Sequence, residues 1–319
     1  MRLNRDFLRL VAAALLLVSA SAAAEAEGSS IETLRLGFQK YGTLIVLKAE
    51  GSLERRLKDK GIAVTWAEFQ GGVKVLEALR VGAIDFGTTG DAPPVIAQAQ
   101  GAPFVYVAVE PPAPHGEALV VRADSPFQTV SDLKGKRIAT SRGGNAHYLS
   151  LQSLAAAGLS GKDVTWSWLF PADARPALES GAVDAWGVWD PFLAGAQKGG
   201  QLRVLADGAT AGVANHQFFL ASRDLADKHP EIVAIILDEL AKIDQRALQD
   251  PTLIVAAVAD ATGIDREALD VAIRRMGFGV KPLTAEIVDS QQKLADAFLK
   301  EGIIDNPITV QDNVAGASR

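Results

Sequence analysis

Apolar and polar positions along the chain fall into short strand-like runs separated by amphipathic stretches. Leu34, Leu36 and Phe38 alternate with other residues across residues 33–38, the period of a half-buried strand. Residues 44–58 carry helical spacing interrupted by Gly51, which costs about 1 kcal/mol against Ala inside a helix and predicts a kink or break. A strand over 62–69, the pair Gly71-Gly72, a helix over 73–80 and a strand over 83–86 follow. A short helix over 95–100 and an apolar strand over 104–109 complete this first block. Pro111-Pro112-Ala113-Pro114 then halts regular structure. Beyond it, strands are predicted at 118–121, 137–140, 164–170, 182–188 and 202–205, with helices at 145–157 and 172–178. From Pro230 the pattern turns helical, over 230–247, 251–261, 265–276 and 284–300. The polar tail 309–319 reads as frayed.

One unit occurs twice. Ala78-Leu79-Arg80-Val81-Gly82-Ala83-Ile84-Asp85-Phe86 is answered by Ala177-Leu178-Glu179-Ser180-Gly181-Ala182-Val183-Asp184-Ala185, 99 residues later. Alternating strands and helices with an internal repeat predict an α/β protein of two similar lobes, with a ligand held between their strand ends. The proline-rich stretch and residues 215–221 read as two crossings between lobes. The first lobe is then discontinuous, 31–112 with 216–319, and the second spans 117–212.

The N-terminus changes the picture. Arg2, Arg5 and Arg9 precede an apolar run over 10–18 and small residues over 19–24, in the order of a secretory signal peptide. The apolar stretch is shorter than the roughly 20 residues a membrane span needs, so residues 1–24 are predicted to be a cleaved leader. Its removal takes away three Arg and one Asp and moves the formal charge from −6 to −8. An acidic mature chain argues against nucleic acid and anionic membrane as partners. Cys is absent, which excludes thiolate nucleophiles, disulfides and zinc–thiolate sites. His115, His147, His216 and His229 lack metal-ligand spacing, and neither a GxSxG elbow nor a GxGxxG fingerprint occurs.

Candidate chemistry gathers at two junctions. Thr88-Thr89-Gly90-Asp91 runs from a strand end into a helix with Pro93 in its first turn, where free N–H groups attract an anion. Ser141-Arg142-Gly143-Gly144-Asn145, followed by His147 and Tyr148, offers hydroxyl, guanidinium, amide and helix-start donors. Alone, the second segment reads first as an ordinary loop whose Ser141 and Asn145 cap a helix; paired with the first, it can clamp an oxyanion. Trp189-Asp190-Pro191-Phe192 places an aromatic ring at a strand mouth, as a wall for an apolar tail, whereas Trp186 reads as core. Gln39, Lys40 and Tyr41 follow the first strand, where Lys40 can steer an anion.

Taken together, Phe38-Gln39-Lys40-Tyr41-Gly42-Thr43-Leu44, the segment 85–94, Glu110-Pro111-Pro112-Ala113-Pro114, Gly181-Ala182-Val183-Asp184-Ala185-Trp186, Trp189-Asp190-Pro191-Phe192 and Ala214-Asn215-His216-Gln217-Phe218 resemble the aliphatic sulfonate-binding proteins of bacterial ABC importers. The likeness covers residues 33–300. It implies the type II periplasmic binding-protein fold and a non-enzymatic, periplasmic receptor without metal or cofactor, acting as a monomer. Such a receptor delivers a small organic sulfonate, or in relatives taurine, nitrate or a sulfate ester, to a permease driven by a cytoplasmic ATPase. By position, the resemblance places the sulfonate near Gln39, Lys40, Thr88, Thr89, Gly90, Gly144, Asn145 and His147, and its tail toward Trp189 and Phe69. Tyr41, Asp91, Ser141, Arg142 and Asp190 complete the expected ligand-binding set. Arg142 and Gly144 stand where the family more often has Lys and Ser, which bears on the choice of oxyanion. The alternative is an enzyme on the same scaffold, although the desulfinases and porphobilinogen deaminases that share it depend on a cysteine. A purely sensory role beside a membrane protein is a third possibility.

Overall fold

The computed structural model describes residues 31–316, apart from the side chains at 253, 261 and 262; the predicted leader lies outside the described residues. The strands are β1 (Thr33–Phe38), β2 (Ala63–Glu68), β3 (Phe86–Gly90), β4 (Phe104–Val109), β5 (Glu117–Arg122), β6 (Arg137–Thr140), β7 (Thr165–Trp168), β8 (Ala185–Trp189), β9 (Leu202–Asp207) and β10 (Gln217–Ser222). The first helices are α1 (Thr43–Glu50), α2 (Ser52–Lys58), α3 (Gly72–Arg80), α4 (Ala92–Ala99), α5 (Asn145–Ala156), α6 (Pro171–Glu179), α7 (Phe192–Gln197) and α8 (Gly208–Ala211). The later ones are α9 (Arg223–Lys228), α10 (Pro230–Gln249), α11 (Pro251–Thr262), α12 (Arg266–Arg275) and α13 (Ala285–Lys300). Gly51, at φ 63°, ends α1 and precedes α2, which is the break its position predicts.

Two five-stranded sheets have the same plan, in the orders β2-β1-β3-β10-β4 and β7-β6-β8-β5-β9. In each, three parallel strands are followed by an antiparallel one, β10 in the first sheet and β5 in the second. Each of these two strands follows a crossing from the other sheet. This is the two-domain α/β architecture of type II periplasmic binding proteins.

The sequence repeat has a structural counterpart. The backbone N–H and guanidinium of Arg35 donate to Asp85, and the guanidinium also donates to the Gly82 carbonyl. Arg137 makes the same set of contacts with Asp184 and Gly181. Gly82 and Gly181 sit at φ 68° and 76°, a conformation that favours glycine and lets the chain turn from helix into strand. The repeated Gly-Ala-(Ile/Val)-Asp is therefore a turn with an arginine clip. Both arginines are half exposed, so the clip fixes register more than it adds stability.

Three expectations need correction. The strand predicted at 83–86 runs instead over Phe86–Gly90, because β10 pairs with it from Ala221↔Phe86 to Gln217↔Gly90. The strand predicted at 182–188 likewise shifts to Ala185–Trp189, paired with β5. The tail is packed rather than frayed over 309–316. Val310 is fully buried, and the Asn313 side chain donates to the Phe104 carbonyl at 2.8 Å. The Ala315 N–H bonds to the Tyr106 carbonyl.

The core of the first sheet is aromatic, with Tyr106 set edge-on to both Phe104 and Phe218. Ile232, Ile236, Leu240 and Ile243 recur at helical spacing along α10 and bury one face of that helix, with α10 packing on α1.

Candidate functional site

Strand ends bring the predicted residues together. Gln39 follows β1, Thr89 and Gly90 close β3, Ser141 follows β6, and Trp189 closes β8. These residues line a narrow cleft, to which Tyr41, Gly144 and Asn145 also contribute. Crevices at the carboxyl ends of strands are where open α/β sheets bind ligands.

The donors are helix starts and hydroxyls. Gly72 and Val73 open α3, and Asn145 and Ala146 open α5, so their N–H groups have no acceptor within their own helix. Gly72, Val73 and Asn145 line the cavity from opposite sheets. Thr89 lies between them. It is fully buried, and its hydroxyl has no hydrogen-bond partner among the described residues. The backbone fits closely there, since a Cβ on Gly72 would meet the Thr89 hydroxyl at 1.7 Å and Pro93 at 2.9 Å. Among the described residues no Lys or Arg lines this cavity. A bound anion there would be held by neutral donors and helix dipoles.

The start of α4 does not contribute as its sequence suggests. Pro93 and Pro94 have no N–H, which leaves Ala92 as the only donor among its first three residues. That N–H goes to the side-chain oxygen of Asn145 at 3.2 Å. The Asn145 amide nitrogen in turn donates to Asn215 at 2.9 Å, and Asn215 donates to the Ala113 carbonyl. Asn145 thus ties the second sheet's helix to the first sheet and to a crossing segment. Gly90 makes room for it, because a Cβ there would lie 1.9 Å from the Asn145 side chain.

Other expected residues lie away from the cavity wall. The Thr88 side chain is enclosed, with its hydroxyl donating to the Phe218 carbonyl and accepting from Gln217, while its own carbonyl accepts from Gln39. Arg142 is exposed and stacks over Trp168 at 5.8 Å. His147 is buried; its Nδ1 accepts the Gly143 N–H at 3.2 Å, and its ring packs edge-on against Trp166 and Trp168. Burial, reinforced by the Arg142 charge, pulls its pKa down to about 4, so the imidazole is neutral at physiological pH. Asp190 is fully buried, accepts the Ala194 N–H and pairs with Arg275. Burial outweighs that pairing and raises its pKa to about 6.

A buried acidic layer adjoins the cavity. Asp91 precedes α4 with one carboxylate oxygen unpartnered, and burial raises its pKa to about 7 against the pull of neighbouring backbone N–H groups. Glu117 is fully buried with both carboxylate oxygens unpartnered, and burial followed by the Asp91 charge raises its pKa well above the usual range. Burial first, and then Asp190, Glu110 and Glu117, also raise the Tyr41 phenol well above its ordinary pKa. Among the described residues no group of three or more His, Asp or Glu is placed to hold a metal ion.

A second compartment continues outward past Gln39, Tyr41, Phe170 and Trp189, which line both. Phe69, Phe192 and Lys40 belong to this outer part, where Lys40 lies 3.8 Å from Glu68. The sequence reading missed Gly72, Phe170, Asn215 and Gln217 as cavity residues. The Gly71-Gly72 pair ahead of a helix was the available signal for the first of these; the other three become cavity residues only through the fold.

Comparison with known proteins accords with this geometry. The family model described as NMT1/THI5 like matches residues 57–253. A relative from Escherichia coli (strain K12), named for aliphatic sulfonate binding, is 38% identical over 312 residues, covering 97% of this chain and 96% of the relative. The taurine-binding periplasmic protein of the same strain is 29% identical over 200 residues, 61% of this chain and 60% of that one. The alkanesulfonate-binding protein SsuA from Xanthomonas axonopodis pv. citri, solved bound to MOPS, superposes with a TM-score of 0.84 at 37% identity, covering 90% of this chain and 99% of that one.

Proposed function

Because the chain belongs to the family of periplasmic sulfonate- and taurine-binding proteins of ABC importers, we propose that it closes around an organic sulfonate and presents it to a cognate permease. The observation that carries this reading is the Thr89 hydroxyl, buried and unpartnered between the starts of α3 and α5. A buried hydroxyl without a partner is unfavourable, and an acceptor arriving between the two helix starts removes that penalty. A sulfonate supplies three oxygens and one negative charge, suited to several neutral donors and helix dipoles and to a wall free of cationic side chains. The apolar tail lies toward Trp189 and Phe69. Lys40, at the outer rim, steers the anion inward.

Donors from both sheets make closure and binding one event, since only the closed form presents α3 and α5 to the same oxyanion. The ligand leaves unchanged, because neither the sequence nor the site offers an activated nucleophile: Cys is absent, and His147 is turned into the packing of Trp166 and Trp168. The test is calorimetric titration with methanesulfonate, taurine, methyl sulfate and nitrate, followed by chromatography of the mixture. Saturable binding of a sulfonate that is recovered intact is the expected result. A reaction product, or binding confined to nitrate, overturns the assignment.

A further inference from the structure

The outer compartment has an unusual lining. Its apolar surface is provided by the rings of Tyr41, Phe69, Phe170, Trp189 and Phe192, together with Pro171 and Ala172, and among the described residues no Val, Leu, Ile or Met lines it. The rings come from both sheets: Phe69 follows β2, Phe170 precedes α6, Trp189 ends β8 and Phe192 begins α7. Phe69, Phe170, Trp189 and Phe192 are all only partly buried, so each keeps surface facing the space.

Their mutual geometry leaves two of the rings without an aromatic neighbour. Trp189 and Phe192 meet edge to face at 89° and 5.9 Å. Among the described residues, neither Phe69 nor Phe170 has a ring partner. Phe170 and Trp189 also flank Gly71, where a Cβ would lie 3.2 Å from the Phe170 ring and 4.0 Å from Trp189. The bare backbone there brings both rings close to the start of α3, where the two compartments share them as lining.

We propose that the tail selected by this compartment is an aromatic ring, which makes arenesulfonates, rather than linear alkanesulfonates, the preferred substrate class. This rests on the reading that the sulfonate sits between the starts of α3 and α5. Ring pairs gain from edge-to-face and offset contacts beyond the area they bury, whereas an alkyl chain gains only area from the same walls. A phenyl group attached to sulfur is also rigid, while a hexyl chain loses rotational freedom when it is held. A wall built for alkyl chains would use aliphatic side chains at some of these positions.

The experiment compares benzenesulfonate, cyclohexanesulfonate and hexanesulfonate by calorimetry, with methanesulfonate as the tail-free reference. The first two share carbon count and ring topology, so their ratio isolates the π contribution. Benzenesulfonate should bind roughly 2- to 12-fold tighter than cyclohexanesulfonate in the native protein. That ratio should fall toward unity in Phe170→Leu and in Phe69→Leu; if one variant fails to fold, the other decides. Equal affinity in the native protein, or a preference that survives in the folded variants, overturns the aromatic assignment while leaving the anion site standing. Failure of all four sulfonates, methanesulfonate included, instead removes the anion reading on which the inference rests.

Discussion

The side-chain oxygen of Asn145 accepts a hydrogen bond from the backbone N–H of Ala92 at 3.2 Å, joining the start of α5 to the start of α4 across the two sheets. Two prolines follow Ala92, so this is the one N–H that the opening residues of α4 can offer, and the other sheet takes it. The Asn145 amide nitrogen is held by Asn215 on the return crossing. The Asn145 side chain is therefore a latch between the domains, and its backbone N–H remains available at the helix start.

Replacing the latch tests this division. Asn145→Ala removes two hydrogen bonds, one to Ala92 in the first sheet and one to Asn215 on the return crossing, each worth about 1 kcal/mol. Affinity for methanesulfonate and for longer sulfonates should fall by one common factor of roughly thirtyfold. At sulfonate concentrations that saturate each protein, the variant should also show a larger radius of gyration by small-angle scattering. An unchanged radius, with loss that varies with tail length, would place the side chain on the ligand instead.

Trp189 should behave in the opposite way. It lines both compartments and meets Phe192 edge-on, beyond the helix starts that face the anion. In Trp189→Ala, the gain in binding free energy per added methylene should drop below the native slope, which is about 0.8 kcal/mol in a fitted pocket. Measured over a series of chain lengths, parallel native and mutant slopes would remove Trp189 from the tail wall.

The buried carboxylates give a pH dependence with a definite sign. Asp91 has its pKa raised to about 7, so the fold favours its protonated form. The associated stability is fully present below the ordinary carboxylate pKa and is lost as pH rises through about 7. Asp91→Asn cannot titrate. The stability difference between native protein and variant should therefore shift in the variant's favour from pH 4 to pH 8, by a few kcal/mol. Chemical denaturation of both proteins across that range measures it, and a difference independent of pH would contradict the assignment.

How much of this was legible in the sequence depends on where the information lay. The repeated Gly-Ala-(Ile/Val)-Asp gave away two matched halves because it encodes a local turn, clipped by Arg35 in one half and Arg137 in the other. Thr88 and Thr89 were harder to separate. Taken as a turn, both could face a ligand; as strand residues, neighbours point to opposite faces, and only Thr89 reaches the cavity. That strand extends to Gly90 because β10 pairs with it, and β10 lies more than a hundred residues further along the chain. His147 illustrates the same limit, since the Trp166 and Trp168 rings that enclose it belong to β7. The blunted start of α4, by contrast, was written in the sequence, because Pro93 and Pro94 cannot donate whatever the fold.

The central claim is that a sulfonate is held by neutral donors between α3 and α5, with the unpartnered Thr89 hydroxyl among them. Thr89→Val keeps the shape of the side chain and removes only the hydroxyl's hydrogen-bonding capacity. That hydroxyl has no hydrogen-bond partner within the protein to lose, so the melting temperature should stay level or rise. Methanesulfonate, which has almost no tail, should lose roughly 1.5–3 kcal/mol of binding, about ten- to a hundredfold in affinity, because a hydrogen bond to a charged oxyanion disappears. Calorimetry and a melting scan on one preparation decide the matter: weaker binding at undiminished stability is the predicted result, and native affinity for methanesulfonate in Thr89→Val would contradict it.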